Sequence, residues 1–134
     1  IRLFIVDGSP FADEDADMEG FRKVFINPQI VEESGDEWNF NEGCLSIPSI
    51  REDVSRLSKV RIRYQDQDFN TVEEEYDGTK ARIIQHEYDH IEGVLFTDYL
   101  SVIKKRLLKR KLNDISKGNI KVDYRMKFPL KKGR

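Results

Sequence analysis

The chain has 134 residues, 38% of them hydrophobic and 36% charged, and its 23 Lys and Arg against 25 Asp and Glu give a formal net charge of −2. The length suits one domain with a real core, and the composition is too apolar for intrinsic disorder and too polar for a membrane protein. Cys44 is the only cysteine in the sequence. A disulfide framework within the chain is therefore excluded, and a reducing compartment is favoured.

Charge is distributed unevenly along the chain. Residues 101–134 carry 13 Lys and Arg and 2 Asp, a net charge of +11. Residues 1–100 carry 10 Lys and Arg and 23 Asp and Glu, a net charge of −13. This polarity predicts an anionic body and a cationic tail that can meet different partners.

The first half of the chain predicts short strands separated by turns, because apolar runs there alternate with clusters of Gly, Pro, Asp and Ser. In chain order, the predictions are a strand at residues 1–6, a turn at 7–10, a solvated acidic loop at 11–20, a strand at 23–27 that Pro28 ends or that bends there and continues through 29–31, a turn at 34–36 and a loop at 41–48.

The second half predicts a strand hairpin followed by two helices. Its elements are an alternating strand at residues 59–64, a turn at 66–70, a partner strand at 71–76, a helix at 79–92 ended by Gly93, and a second helix at 101–115. Together they predict an α+β fold in a single domain, residues 1–134. Its short antiparallel strands surround a central metal-binding helix, and a further helix lies at the C-terminal end.

Both histidines of the chain lie in one short motif on the predicted central helix, Gln85-His86-Glu87-Tyr88-Asp89-His90. His86 and His90 are one helical turn apart on the same face, so both imidazoles can reach one metal ion. Glu87 is displaced by about 100° around the helix axis, where its carboxylate can accept a proton from water. This is the arrangement that metal-assisted hydrolysis requires, and the isoleucines beside the motif favour it over two surface histidines spaced by chance.

The histidine motif alone does not identify the third metal ligand. A catalytic zinc-type site has three protein ligands and one open position. No histidine follows His90, and Glu92 is too close and on another face of the helix. Asp98 and Asp114 are candidates, as is Cys44 in its glycine-containing loop. A lone cysteine is more often a small buried hydrophobe, but the missing ligand favours a metal-binding role for this one.

Two segments taken together, Glu42-Gly43-Cys44-Leu45-Ser46 and Gln85-His86-Glu87-Tyr88-Asp89-His90, resemble the second and third signature motifs of peptide deformylase. Those motifs read Glu-Gly-Cys-Leu-Ser and Gln-His-Glu-x-x-His, and every defined position matches in the family's order. The resemblance covers essentially the whole chain. It implies a hydrolase that removes the formyl group from the N-terminal formyl-methionine of newly synthesised polypeptides and releases formate.

By position, the resemblance assigns Cys44, His86 and His90 to one divalent metal ion and Glu87 to general acid–base catalysis. It assigns the backbone N–H of Leu45 to the oxyanion. The family implies Fe(II) in the cell, with zinc, nickel or cobalt able to occupy the same site. A thiolate with two imidazoles suits any of these ions, so the residue types do not choose among them.

Several further residues are predicted to act at the site, Arg51 among them through the resemblance, and each has an ordinary structural alternative such as an exposed arginine or a plain core isoleucine. They are Gly43 and Arg51 as contacts of the substrate peptide, Arg82 and Ile83 as lining of the methionine pocket, and Asp89 as a residue that orients a ligand or pairs with Arg56.

One element of the family pattern is absent from the sequence. The family's earlier motif, Gly-x-Gly-x-Ala-Ala-x-Gln, supplies a glutamine to the oxyanion and precedes a strand much like residues 1–6. We expect that the chain is truncated before this strand. The alternative is a degenerate, inactive relative, which would not need to keep both other motifs intact.

Two other functions stay open beside deformylation. A metalloprotease of the His-Glu-x-x-His type would use the same helix but would leave the Cys44 loop unexplained. A noncatalytic module with a structural metal is the other alternative. It is disfavoured because structural zinc prefers four protein ligands, whereas this chain offers one cysteine and two histidines.

The cationic tail predicts a partner. Lys104-Lys105-Arg106 and Lys109-Arg110-Lys111 flank leucines on the predicted last helix, which gives it an apolar face and a basic face. The helix is either a solvated element docked on the body or a contact for ribosomal RNA. The predicted partners are thus N-formylmethionyl nascent peptides and the ribosome, without a membrane, in a bacterial-type cytoplasm.

Overall fold

The computed structural model describes residues 1–129 and forms two compact units. The first unit comprises Ile1–Asn39 and Ser55–Leu95, and the second comprises Phe40–Val54 and residues 96–129. The main elements are β1 (Leu3–Asp7), β2 (Arg22–Cys44), β3 (Ile47–Gln65), β4 (Thr71–Asp77), α1 (Gly78–Glu92) and α2 (Val102–Ser116). The predicted α+β class is confirmed. The single domain over residues 1–134 stays a prediction, which one cooperative unfolding transition would test.

The strands of the first unit form a sheet in the order β1-β2-β3-β4. β1 runs antiparallel to β2, with Phe4 opposite Phe25, and β3 runs antiparallel to β4, with Val60 opposite Tyr76. In β3 the buried residues Val60, Ile62 and Tyr64 alternate with charged ones. This period of two is the pattern that predicted a half-buried strand.

The core of the first unit lies between this sheet and α1. The Phe4 and Phe25 rings stack with their centroids 4.8 Å apart, and the helix contributes Ala81 and Ile84. α1 ends at Gly93, which adopts the left-handed conformation (φ 78°) that an L-residue with a side chain disfavours. The predicted helix and its stop are thus confirmed.

A polar cluster lies beside this core. The Nζ of Lys23 contacts the Glu74 carboxylate at 2.5 Å and the Tyr76 hydroxyl at 2.8 Å, and the Tyr64 hydroxyl donates to Glu74 at 2.7 Å. Burial raises the pKa of Glu74, but the hydrogen bonds from Lys23, Tyr76 and Tyr64 outweigh it and hold that pKa below its usual 4.5. Burial and the hydrogen bond to Glu74 raise the pKa of Tyr76 far above its usual value.

The second unit has a core of its own, to which β3, the segment before α2, and α2 contribute. Its buried members are Ile47, Ile50, Val54, Phe96, Leu100 and Ile115. α2 begins at Ser101, whose side chain accepts a hydrogen bond from the backbone N–H of Lys104 as a helix cap. Within residues 1–129, no helix is both long enough and apolar enough to cross a membrane.

The predicted breaks within the long hairpin are wrong. β2 continues through the turn predicted at residues 34–36, and only residues 45 and 46 separate β2 from β3. Gly35 has φ +80°, and a Cβ there would lie 2.3 Å from the Ser58 Oγ. The glycine therefore serves a close approach inside a continuous strand and does not end it.

The acidic segment at residues 11–20 is largely exposed, as predicted, but Met18 is fully buried. A short 3₁₀ helix, Ala16–Met18, presents this side chain inward. The Asp15 carboxylate caps it by accepting from the Asp17 N–H at 3.1 Å. A single apolar residue among acids gives no periodic signal, so the sequence did not predict this anchor.

Candidate metal centre

Buried polar contacts fix the register of α1, the helix that carries the histidines. Arg82 is 1% exposed, and its Nη2 donates to the Trp38 carbonyl of β2 at 2.6 Å while its guanidinium lies 4.7 Å from the Trp38 ring centre. One turn on, the Gln85 Nε2 donates to the Glu33 carboxylate at 3.0 Å and to the Leu57 carbonyl at 3.2 Å. The turn of α1 just before the histidines is therefore tied to β2 and β3 by directional bonds.

The two histidines share a face of α1, as their spacing predicts. Both are half-buried, and their ring centroids lie 4.9 Å apart with the ring planes at 84°. Glu87, between them in sequence, is also half-buried. The helix thus presents two imidazoles at one place, with a carboxylate on the neighbouring face.

An ion pair supports the last turn of this helix. The Arg56 Nη1 contacts the Asp89 Oδ2 at 2.6 Å, and the two side chains are only 5% and 16% exposed. Of the two predicted roles for Asp89, the pairing with Arg56 is confirmed. Because Asp89 directly precedes His90, this pair restrains the backbone that carries the second imidazole.

Cys44 is the last residue of β2 and packs, half-buried, against the core of the second unit. Near it, Arg51 is exposed and donates from Nε to the Asn41 Oδ1 at 2.8 Å and from Nη2 to the Asn41 carbonyl at 2.6 Å. A Cβ at Gly43 would lie 2.7 Å from the Arg51 Nη1. Glycine at this position is what lets the arginine lie across the strand.

A cleft of about 720 Å³ adjoins the Cys44 loop in the second unit. It is lined by residues of the β2–β3 hairpin between Gly43 and Arg51 and by residues 121–124. The Tyr124 hydroxyl donates to the Leu45 carbonyl at 2.8 Å. No motif or periodic pattern marks Tyr124, so sequence reasoning missed this contact.

Three side chains able to bind a metal form one group: the Sγ of Cys44 and one ring nitrogen each of His86 and His90 lie within 4.8 Å of one another. A thiolate and two imidazoles suit a divalent ion such as Zn²⁺ or Fe²⁺, and three ligands leave a position open in a four-coordinate site. Among residues 1–129, neither Asp98 nor Asp114 belongs to such a group.

The remaining predicted residues have the following positions. Ile83 is half-buried and packs against the core of the first unit, and Leu45 is 76% exposed at the tip of the hairpin. Their roles, and the catalytic or binding roles of the other predicted site residues, stay predictions. Those residues are Gly43, Cys44, Arg51, His86, Glu87 and His90.

Comparison with known proteins gives one consistent result. The family model described as polypeptide deformylase matches residues 1–106. A peptide deformylase of Cytophaga hutchinsonii is 61% identical over 132 residues, which cover 98% of this chain and 71% of that protein. A peptide deformylase of Christiangramia forsetii is 56% identical over 136 residues, which cover 96% of this chain and 69% of that protein.

Solved structures agree with these relatives. The crystal structure of Arabidopsis thaliana peptide deformylase 1B in complex with an inhibitor matches with a TM-score of 0.75 and 31% identity, over 89% of this chain and 63% of that one. A Plasmodium falciparum peptide deformylase in complex with an inhibitor matches with a TM-score of 0.65 and 41% identity, over 69% of this chain and 60% of that one. The chain thus spans less than two thirds of these two solved chains.

Proposed function

This chain belongs to the polypeptide deformylase family, and from that premise we propose that it removes the formyl group from the N-terminal formyl-methionine of nascent polypeptides. The family membership confirms the resemblance predicted from the two motifs. The observation that carries the proposal is the grouping of Cys44, His86 and His90, which neither motif explains alone. A metalloprotease of the His-Glu-x-x-His type would use both histidines, but that function does not explain a cysteine beside them.

The donor set fits one divalent metal ion, and we propose Fe(II) in the cell, with zinc, nickel or cobalt as substitutes. The fit rests on one soft thiolate and two imidazoles grouped within reach of a single ion. When bound, the ion supplies the Lewis acidity that polarises a carbonyl and acidifies water. A thiolate beside ferrous iron is sensitive to oxidation, which agrees with the proposed cytoplasmic location.

We propose that Glu87 carries the proton in the reaction. Its carboxylate accepts a proton from the attacking water, whose oxygen forms a bond to the formyl carbon. The carbon–nitrogen bond then breaks, formate leaves, and Glu87 returns the proton to the amine of the methionine. The backbone N–H of Leu45 donates to the oxyanion that develops on the formyl oxygen.

The substrate peptide is proposed to lie along the edge of the hairpin beside the Cys44 loop. Gly43 supports this role because its missing side chain leaves room for the Arg51 guanidinium at this edge. Arg51, exposed and held by Asn41, offers a cation near the same edge. Ile83 is proposed to line the methionine pocket with the part of its side chain that stays accessible, beside Arg82.

We propose that the outer side of α2 contacts ribosomal RNA. Two lysines of α2 have partners within the second unit: Lys104 contacts Glu52 at 2.6 Å, and Lys111 donates to the Ser49 carbonyl. The exposed cations of the outer side are Lys105, Arg106, Lys109 and Arg110. Phosphate contacts release counterions, so binding through this side weakens steeply as salt rises from about 50 to 200 mM.

Ribosome co-sedimentation at several salt concentrations tests this contact. Replacing Arg106 and Arg110 by Glu should abolish binding, whereas Lys59→Glu, at an exposed position of β3 in the first unit, should not. Ribosome binding that does not change with salt concentration, or that persists in the double variant, would refute the contact. The cationic residues 131, 132 and 134 of the predicted tail lie outside the described part of the chain.

The enzymatic proposal is tested by anaerobic purification of the full-length protein, metal analysis, and an assay of formate release from a formyl-Met peptide. The same peptide without its formyl group, followed for internal cleavage, is the matched control. Formate without internal cleavage supports deformylation. Internal cleavage of both peptides identifies a metalloprotease, and neither product from metal-loaded protein identifies a noncatalytic module.

A further inference from the structure

The segment after α2 is anchored on the second unit at both sides of Tyr124. Ile120 and Met126 pack against the same apolar core that Cys44 contacts. Between them, the Tyr124 hydroxyl donates to the Leu45 carbonyl at 2.8 Å, although Tyr124 is 37% exposed to solvent. The hydrogen bond therefore joins a fixed segment to the residue that directly follows the thiolate ligand.

The turn at residues 45–46 has little conformational preference of its own. Two-residue hairpin turns favour the types that need positive φ, because only these match the twist of the flanking strands. Among residues 1–129, positive φ outside glycine occurs only at Asn27, Ser49 and Phe69. Leu45, at the first position of the turn, is not a residue type that favours positive φ. A contact from outside the hairpin, such as the hydrogen bond from Tyr124, can therefore help to fix the conformation of this turn.

We propose that Tyr124 is a positioning residue for the metal-binding loop. Its hydrogen bond fixes the Leu45 carbonyl. A fixed carbonyl restrains the backbone dihedral angles of Leu45, the residue that directly follows Cys44. The proposal rests on the function proposed above, because it assigns Tyr124 to holding the Leu45 N–H in place for the oxyanion. Tyr124 itself touches neither substrate nor metal in this role.

Tyr124→Phe is the sharpest test, since it removes one hydroxyl and keeps the ring. Arg125→Gln, at the exposed neighbouring position, is the matched control. In the full-length protein loaded with Co(II), we expect kcat of the Phe variant to fall by about five- to tenfold while KM stays within about twofold, because the lost restraint acts in the transition state. The thiolate-to-cobalt absorption band should shift, and hydrogen exchange at residues 45–46 should accelerate in the metal-free protein.

Wild-type kcat with an unmoved band in the Phe variant would overturn the proposal. So would a loss of folded protein shared by both variants, since Tyr124 would then support only the fold of the segment. If wild-type protein binds Co(II) but releases no formate, the proposed function fails. The band and the exchange rates still decide then whether Tyr124 positions the loop.

Discussion

The buried ion pair beside the last turn of α1, the helix that carries the two histidines, gives a quantitative prediction. Asp89→Ala removes the carboxylate that Arg56 contacts at 2.6 Å, in a place where the two side chains are 16% and 5% exposed. Removing one partner of a buried pair costs about 3–5 kcal/mol, because the Arg56 charge then loses this carboxylate in a poorly solvated place. We expect the lower end, about 3 kcal/mol, since water still reaches part of Asp89.

Asp89→Asn separates charge from hydrogen bonding. The amide oxygen can still accept from Arg56, so we expect about half of that loss, or about 1.5 kcal/mol. The matched control is Glu32→Gln at the pair that Arg61 forms at 2.6 Å, whose side chains are 41% and 51% exposed. Solvent screens that pair, so its loss should stay below about 0.5 kcal/mol.

Urea unfolding of the metal-free protein measures these differences. With a slope of about 2 kcal/mol per M, the Ala variant should unfold about 1.5 M earlier than wild type and the control less than about 0.3 M earlier. Equal shifts for the buried and the exposed pair would contradict this expectation, because burial would then not decide the effect. A metal-loaded series should also show weaker metal binding by Asp89→Ala, since the restraint on His90 is lost.

Two further predictions concern the sheet. The pKa of Glu74 lies below its usual 4.5, so its share of the stability is present above that pH and is lost as the pH falls through the lowered value. Glu74→Gln should therefore weaken the dependence of the unfolding free energy on pH in the acidic range, whereas Glu75→Gln, on the exposed side of β4, should not. Identical curves for the two variants would contradict the role of the polar cluster around Glu74. Gly35→Ala, where a Cβ would meet the Ser58 Oγ at 2.3 Å, should destabilise by about 2–3 kcal/mol. Gly20→Ala, at φ +68° with open space around it, should cost only about 1 kcal/mol, and the reverse order in urea would refute the steric argument.

The sequence was most informative where local pattern and chemistry coincide. The helix carrying His86 and His90 follows from apolar periodicity, its glycine stop and the four-residue spacing, and the structure places it within one residue of the predicted bounds. The pairing of Asp89 with Arg56 was one of two predicted alternatives. It could be anticipated because a carboxylate next to a predicted histidine ligand is commonly held by a partner of its own.

The predictions that were wrong or missing have a common physical cause. Turn signals in a sequence describe a backbone preference and do not reveal tertiary contacts. Gly35 gives a turn signal in sequence, yet it serves a close approach to Ser58 within a strand. At Pro28, by contrast, the predicted alternative of a bent strand that continues through residues 29–31 agrees with β2, where the neighbouring Asn27 takes a positive φ of 47°. The anchor at Met18 and the hydrogen bond from Tyr124 to Leu45 join distant parts of the chain, and no local pattern marks either of them.

The role proposed for Glu87 is best measured by formate release from the Glu87→Ala variant, compared with wild type at equal metal content. We expect the variant to keep its metal, because Cys44, His86 and His90 are intact, and its turnover of a formyl-Met peptide to fall by about a thousandfold. Wild-type turnover in the variant would contradict the assignment of Glu87 as the proton carrier, and with it the proposed mechanism.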